Sequence, residues 1–330
     1  MNRGKFSLLF LVVMLVLALP LVGYSEDNYP DHPITIIIPF SPGGSSDIAI
    51  RAIEPFLSKE LGLKIVIENR PGANSQIGAT EFMRRPDDGY TFFQCNQPHI
   101  SWTILTQDPQ YKIEDFYGIN AFHITPSLIA VLPDSPYNSI EDLIEDAKAR
   151  PGEVKFGVTS GGPQHILPLW LGKELDIDWI IIPYDGGAES KAALYGGHSD
   201  VTCLDPASIV REGFKPLVLA AEEKSILLPD LPLLGPVVEK YGGSMSDKPV
   251  TDSWRGLVAH ATFKEKYPNR WKIFVDAYER AFHNPDHMAK IVELGMQEIS
   301  NFQSPEATQE DLLKIHNDLT KYKDLLLGIQ

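Results

Sequence analysis

Cysteine is scarce in this 330-residue chain, where Cys95 and Cys203 are the only two. A pair cannot build a disulfide framework or a four-thiolate metal site. Basic side chains are also in deficit, 29 against 44 acidic, for a formal net charge of −15. That balance argues against nucleic acid or an anionic membrane surface as the main partner, since both demand a basic footprint. After Val22 there is no long apolar run, so no later segment can span a bilayer as a helix. Tandem repeats, low-complexity tracts and long charge runs are missing too. What is present, 43% hydrophobic and 22% charged residues, is the composition of an ordinary globular protein. The length suits one or two full cores, and two domains are expected.

The amino terminus reads as an export signal. Arg3 and Lys5 precede an uncharged apolar run from Phe6 to Val22, and Gly23-Tyr24-Ser25 leads into acidic Glu26-Asp27. This is the charged start, apolar middle and small-residue exit of a secretory signal peptide, residues 1–25, with cleavage expected near Ser25. The run also touches the lower edge of the membrane-spanning range, so an uncleaved anchor is the alternative. Pro20 favours cleavage. A chain trimmed after Ser25 keeps 27 basic and 44 acidic residues, a net charge of −17.

Strands and helices alternate from there. Ile34–Ile38, rich in β-branched residues and ending at Pro39, has the profile of a strand buried on both faces. A helical pattern runs from Ile48 to Leu61 and stops at Gly62, with Pro55 expected to kink it or delay its start. Further strands are predicted at 64–68, 90–93, 128–132, 154–158, 179–182, 201–204 and 217–220. Helices are predicted at 75–84 and 140–150, the latter opened by the capping box Ser139-x-x-Asp142. Beyond a strand at 256–259 the chain reads as mostly helical, most clearly at 270–282 and 305–327. Repeated βα units imply an α/β fold with parallel sheets covered by helices.

Three glycine-bearing loops follow predicted strands: Pro42-Gly43-Gly44-Ser45-Ser46-Asp47, Thr159-Ser160-Gly161-Gly162, and Tyr184-Asp185-Gly186-Gly187. Each lies between a strand's carboxyl end and a helix amino end, where open α/β sheets place their ligands. Glycine lets backbone N–H groups approach an anion, and the helix end supplies about half a positive charge. None is a Walker loop or a G-x-G-x-x-G dinucleotide loop. Any one of them is explained by turn chemistry, but three together favour a site for a carboxylate-sized anion.

The same residues carry a family resemblance. Tyr29-Pro30-x-x-Pro33-Ile34 leads into Pro39-Phe40-Ser41-Pro42-Gly43-Gly44-Ser45-Ser46-Asp47. Glu68-Asn69-Arg70-Pro71-Gly72-Ala73 and Pro86-Asp87-Asp88-Gly89-Tyr90-Thr91 follow, then Ile182-Pro183-Tyr184 and Leu231-Pro232. Over essentially the whole mature chain this resembles the substrate-binding proteins of tripartite tricarboxylate transporters, the TctC or Bug family. The resemblance implies a two-domain periplasmic-binding-protein fold of type II-like design, with the ligand cleft between the domains. Residues 30–126 with 255–330 are expected to form one domain and 127–254 the other. It implies a periplasmic monomer that captures a small organic carboxylate and delivers it to the transporter's membrane permease, without catalysis or cofactor. A ligand-loaded partner of a membrane histidine kinase is the alternative.

Carried over by motif, Pro42, Gly43, Gly44, Ser45 and Ser46 would grip one carboxylate, and a side chain at Gly44 would block that approach. Asp47 would brace the loop. Thr159, Ser160, Gly161 and Tyr184 would face it across the cleft, and Asp205 would hold loop amides or accept from a ligand donor. Asp185 departs from the family, where Lys or a neutral residue is usual. It would repel a second carboxylate or pair with a ligand ammonium, unless it caps the helix beginning near Ala188. His165, directly after the second glycine loop, is a further ligand candidate, whereas His99, Trp102 and Trp170 fit ordinary packing as well as stacking. The histidines lack metal-ligand spacing, so no metal is expected. Ser160 in Gly157-Val158-Thr159-Ser160-Gly161 is misplaced for a nucleophile elbow. Cys95 and Cys203, assigned to different domains, are expected to be free thiols, since a bridge would lock the cleft.

Overall fold

The computed structural model describes residues 28–246, 248, 252–297 and 300–327, so the expected signal segment lies outside the described residues. In chain order the strands are β1 (Ile34–Ile38), β2 (Ile65–Asn69), β3 (Thr91–Gln97), β4 (Phe116–Pro126), β5 (Leu128–Val131), β6 (Lys155–Thr159), β7 (Ile180–Tyr184), β8 (Val201–Leu204), β9 (Lys215–Leu219) and β10 (Asp252–His260). The principal helices are α1 (Ser45–Leu61), α2 (Gln76–Arg84), α3 (His99–Gln107), α4 (Ile140–Ala149), α5 (Pro163–Leu175), α6 (Gly187–Tyr195), α7 (Pro206–Glu212), α8 (Leu234–Lys240), α9 (Phe263–Lys266), α10 (Pro268–Phe282), α11 (Pro285–Glu293) and α12 (Pro305–Leu319).

The strands form two five-stranded sheets, ordered β2-β1-β3-β10-β4 and β7-β6-β8-β5-β9, one at the centre of each of two α/β lobes. Parallel pairing holds only within β2-β1-β3 and β7-β6-β8. The expected parallel sheets are in fact mixed: β10 runs antiparallel to both β3 and β4, and β5 antiparallel to both β8 and β9. The mixed order arises where the chain changes lobes. Only Ser127 separates β4 from β5, so one extended ribbon passes from the first sheet into the second. A parallel neighbour would need a crossover of a dozen or more residues.

Alternation along β1 explains its unbroken apolar sequence. Ile34, Ile36 and Ile38 pack with Ile50, Ile53 and Leu57 of α1, while Ile37 faces Phe82, Phe93 and Trp254 on the other side. α10 covers the α1 face of the same sheet, stacking Phe274 on Phe92 with ring centroids 3.7 Å apart. In the second lobe, Ile129, Val131, Phe156 and Val158 pack under Leu143, Leu167 and Leu171 of α4 and α5. The α4 capping box forms in both directions, Asp142 N–H donating to Ser139 Oγ and Ser139 N–H to Asp142 Oδ2. Helix α1 begins at Ser45 and continues through Pro55, so that proline neither delays nor ends it. Strand β4 was not foreseen. Buried Asn120, His123 and Thr125 interrupt its apolar pattern.

The lobes touch through two small apolar clusters. Ala52, Ile291 and Met296 meet Ala207 in one, and Trp102 and Leu319 meet Ile166 in the other.

Candidate functional site

Between the lobes lies a small cavity, with room of about 50 Å³ for the centres of water-sized molecules and partly open to solvent. The first lobe supplies Gly44, Ser45 and Ser46 at the start of α1, Asn96 and His99 around the end of β3, and Ser253 and Arg255 of β10. The second supplies Thr159 at the end of β6, Gly187 and Lys191 of α6, and Asp205 with Ser208 at the start of α7.

Local chemistry fixes the first loop. Gly43 takes φ +82°, a left-handed turn open to glycine at little cost. Asp47 reaches back one helical turn, so that its Oδ2 accepts from Gly43 N–H at 3.0 Å and from Arg51 Nε at 2.9 Å, while Oδ1 accepts from Asn69 Nδ2. Burial alone would raise this carboxyl, but those donors outweigh it and hold it below its ordinary value. Gly43 therefore spends its amide inside the loop, and Gly43 and Pro42 are exposed, outside the cavity lining. Gly44 does line the cavity, with an ordinary φ of −75°. The N–H groups of Ser45 and Ser46, first in α1, have no carbonyl a turn earlier to accept them.

Across the cavity, Asp205 ties three elements together. Its Oδ1 caps α7 by accepting from Ser208 N–H at 2.9 Å, its Oδ2 accepts from Ser45 Oγ of the other lobe at 2.9 Å, and Arg255 Nη2 lies 3.5 Å away. Burial opposes ionisation here too, yet Arg255, Ser208 and Ser45 keep the carboxyl below its usual range. Lys191, although part of the lining, commits its ammonium to Glu212, which is not, at 2.7 Å. A second cross-lobe bond runs from Ser41 Oγ to Glu189 Oε1.

The second loop contributes less than expected. Thr159 lines the cavity, but Ser160 N–H donates to Tyr184 O and Gly161 N–H to His165 Nδ1. Neither amide is left for a ligand. His165 itself stacks on Trp102, with centroids 4.8 Å apart, and sits outside the lining. Gly161 and Gly162 serve close approach instead. A Cβ on Gly161 would fall 1.8 Å from Asn74 and one on Gly162 2.2 Å from the His99 ring, both in the other lobe. Tyr184 ends β7 away from the cavity, and Asp185 is exposed, neither lining it nor capping α6, whose N-cap position is Gly186. Cys95 and Cys203 are free and buried, with Cys203 in the cavity wall. Among the described residues no group of His, Cys, Asp and Glu could hold a metal.

Sequence reasoning missed Arg255, Asn96, Lys191, Ser208 and Ser253 altogether, and favoured packing over ligand contact for His99, which lines the cavity. One signal was available: an arginine within the otherwise largely apolar Ser253-Trp254-Arg255-Gly256-Leu257-Val258, where a buried charge demands a partner.

A sequence profile of the tripartite tricarboxylate transporter family receptors matches residues 49–325. The chain belongs to that family. Among its relatives, it is 30% identical over 277 residues to the UPF0065 protein in the gbd 5'region of Cupriavidus necator, covering 82% of this chain and 81% of that one. Protein BugT of Bordetella pertussis is 30% identical over 219 residues, 64% and 67% of the two chains. Solved receptor structures share the fold. The periplasmic binding protein BugD superposes with a TM-score of 0.77 at 22% identity, covering 92% of this chain and 99% of that one. The malate-bound MatC of Rhodopseudomonas palustris gives 0.75 at 22% identity, covering 90% and 100%. Receptors of this family are periplasmic solute-binding proteins with a two-lobed, type II-like fold.

Proposed function

We propose that this receptor captures a small organic carboxylate in the cavity between its lobes, outside the cytoplasmic membrane, and delivers it to the permease of a tripartite tricarboxylate transporter. No bond is broken in this cycle. The observation that carries the reading is the cavity itself. Polar groups of both lobes, the α1 amino end on one side and Asp205 on the other, converge where strands end and helices begin. Fixed dipoles in a water-poor cleft hold an anion more strongly than the same groups would in bulk water. The neighbouring folds support the class, since MatC holds malate and another R. palustris protein, at TM-score 0.76 and 23% identity, holds adipate.

In this reading residues 30–126 form one lobe together with the carboxyl-terminal part of the chain, which joins it at the start of β10, Asp252, three residues before the expected 255; β5 to β9, making up one sheet, belong to the other lobe. The ligand-facing set is Gly44, Ser45, Ser46, Thr159 and Asp205, with Asp47 bracing the first loop. Residues 1–25 act as the export signal, and the mature chain works as a monomer in the periplasm. A thermal-shift screen over mono-, di- and tricarboxylates and amino acids tests the function, since a ligand that binds only the folded state raises the melting midpoint. A midpoint that no carboxylate moves at millimolar concentration would refute it.

A further inference from the structure

We infer that Arg255 is the charged anchor of the site and takes one carboxylate group of the ligand, an inference that rests on the carboxylate-binding function proposed above. Arg255 lies in the middle of β10, paired in register with Asn96 of β3 on one side and His123 of β4 on the other. It lines the cavity at 5% exposure. Such burial of a guanidinium, which stays protonated in proteins, requires that its donors be used. Asp205 occupies only Nη2, and at 3.5 Å it does so loosely. Nε and Nη1 have no hydrogen-bond partner among the described residues. The other cation in the lining, Lys191, is engaged by Glu212.

Asp205 and Arg211 are the charged groups that act on Arg255, and the other polar groups around it are uncharged. Ser253 Oγ and both ring nitrogens of His99 are buried, line the same cavity and lack partners. A planar carboxylate matches the forked donors of a guanidinium, and a hydroxyl or carbonyl on the same ligand would satisfy Ser253 or His99. Arg255 therefore sets both the sign of the ligand's charge and its orientation. The glycine loop and the α1 end then hold the remainder.

Calorimetry on the mature full-length protein with acetate, lactate, malate, adipate and glutamate identifies the tightest of these probes. The same titration is then run on Arg255→Gln and on the double variant Arg255→Gln/Asp205→Asn, which leaves no buried charge unpaired if the single variant fails to fold. Loss of a fully desolvated charge partner weakens binding by about 100-fold. A loss of tenfold or more in a folded variant, with the amide of the tightest probe binding equally poorly to the wild type, supports the assignment. A loss below tenfold in a folded variant overturns it while leaving the carboxylate function intact. A wild type that binds none of the probes overturns the function and this inference together.

Discussion

Gly162→Ala isolates lobe closure from folding. Gly162 has φ −106° and ψ −177°, extended backbone that alanine adopts without strain, and within the second lobe a methyl group would meet only the far end of the flexible Gln164 side chain, Oε1 at 3.0 Å. The objection comes from the first lobe. A Cβ at 162 would sit 2.2 Å from Cε1 and Nε2 of His99. That ring cannot swing aside, since it is 2% exposed and packs edge-on against Phe40, with centroids 5.2 Å apart. Overpacking of this kind costs about 1–3 kcal/mol, and here the severe clash, with His99, exists only in the arrangement with the lobes together. If ligand capture requires that arrangement, affinity should drop about five- to 150-fold. The urea midpoint of the free protein should fall by less than the same energy. Gly161→Ala is a poorer probe, because φ of +66° adds backbone strain to the clash with Asn74. Calorimetry with the tightest carboxylate, alongside urea unfolding, measures both quantities. Unchanged affinity in Gly162→Ala would refute the coupling of closure to binding.

Three further outcomes are expected. Gly44→Ala should fold normally, because its Cβ would meet only Ser41 O at an ordinary 3.5 Å, yet lose roughly fivefold or more in affinity to the methyl added in the cavity, as titration would show. Asp185→Asn should change neither ligand affinity nor melting temperature, since the side chain is exposed and neither lines the cavity nor caps α6; a shift in relative affinity for dicarboxylates would restore Asp185 to the site. Acid should destabilise the fold early. Burial holds His99 and His123 near 3 and His165 near 4 in the folded state. Unfolded histidines bind protons from about 6.5 downward, so the stability these depressed values confer is present above 6.5 and lost as pH falls below it. At pH 5.5 each contributes a loss of about 1.4 kcal/mol, together about 4 kcal/mol, which urea midpoints at pH 7.5 and 5.5 would reveal. Equal midpoints would contradict the neutral burial of these rings.

The sequence made the first half of each lobe legible and the returning strand opaque. β1 and the loop after it announce themselves, because a short β-branched run, a proline and two glycines leave few alternatives. The fold class followed from the βα rhythm and from motifs spread along the mature chain. β10 was harder. Its place between β3 and β4 is decided by pairing with residues more than 120 positions earlier, and no local pattern encodes such a partner. Arg255, Ser253 and Asn96 reach the cavity only through that pairing, so a reading confined to loops could not find them. The glycine loops misled in a complementary way. Glycine marks close approach, but of Gly43, Gly44, Gly161 and Gly162, only Gly44 lines the cavity. Gly43 serves a turn, and Gly161 and Gly162 serve contact between the lobes.

The central claim is that a small carboxylate is held between the two lobes by the start of α1, Asp205 and Arg255. A crystal structure of the mature chain grown with its tightest carboxylate tests it most directly. The account predicts the ligand enclosed in the interlobe cavity, within hydrogen-bond distance of Ser45 or Ser46 and with a carboxylate on Arg255 Nε or Nη1. A ligand seated elsewhere on the protein, or enclosed there without contact to either lobe's named groups, would contradict it.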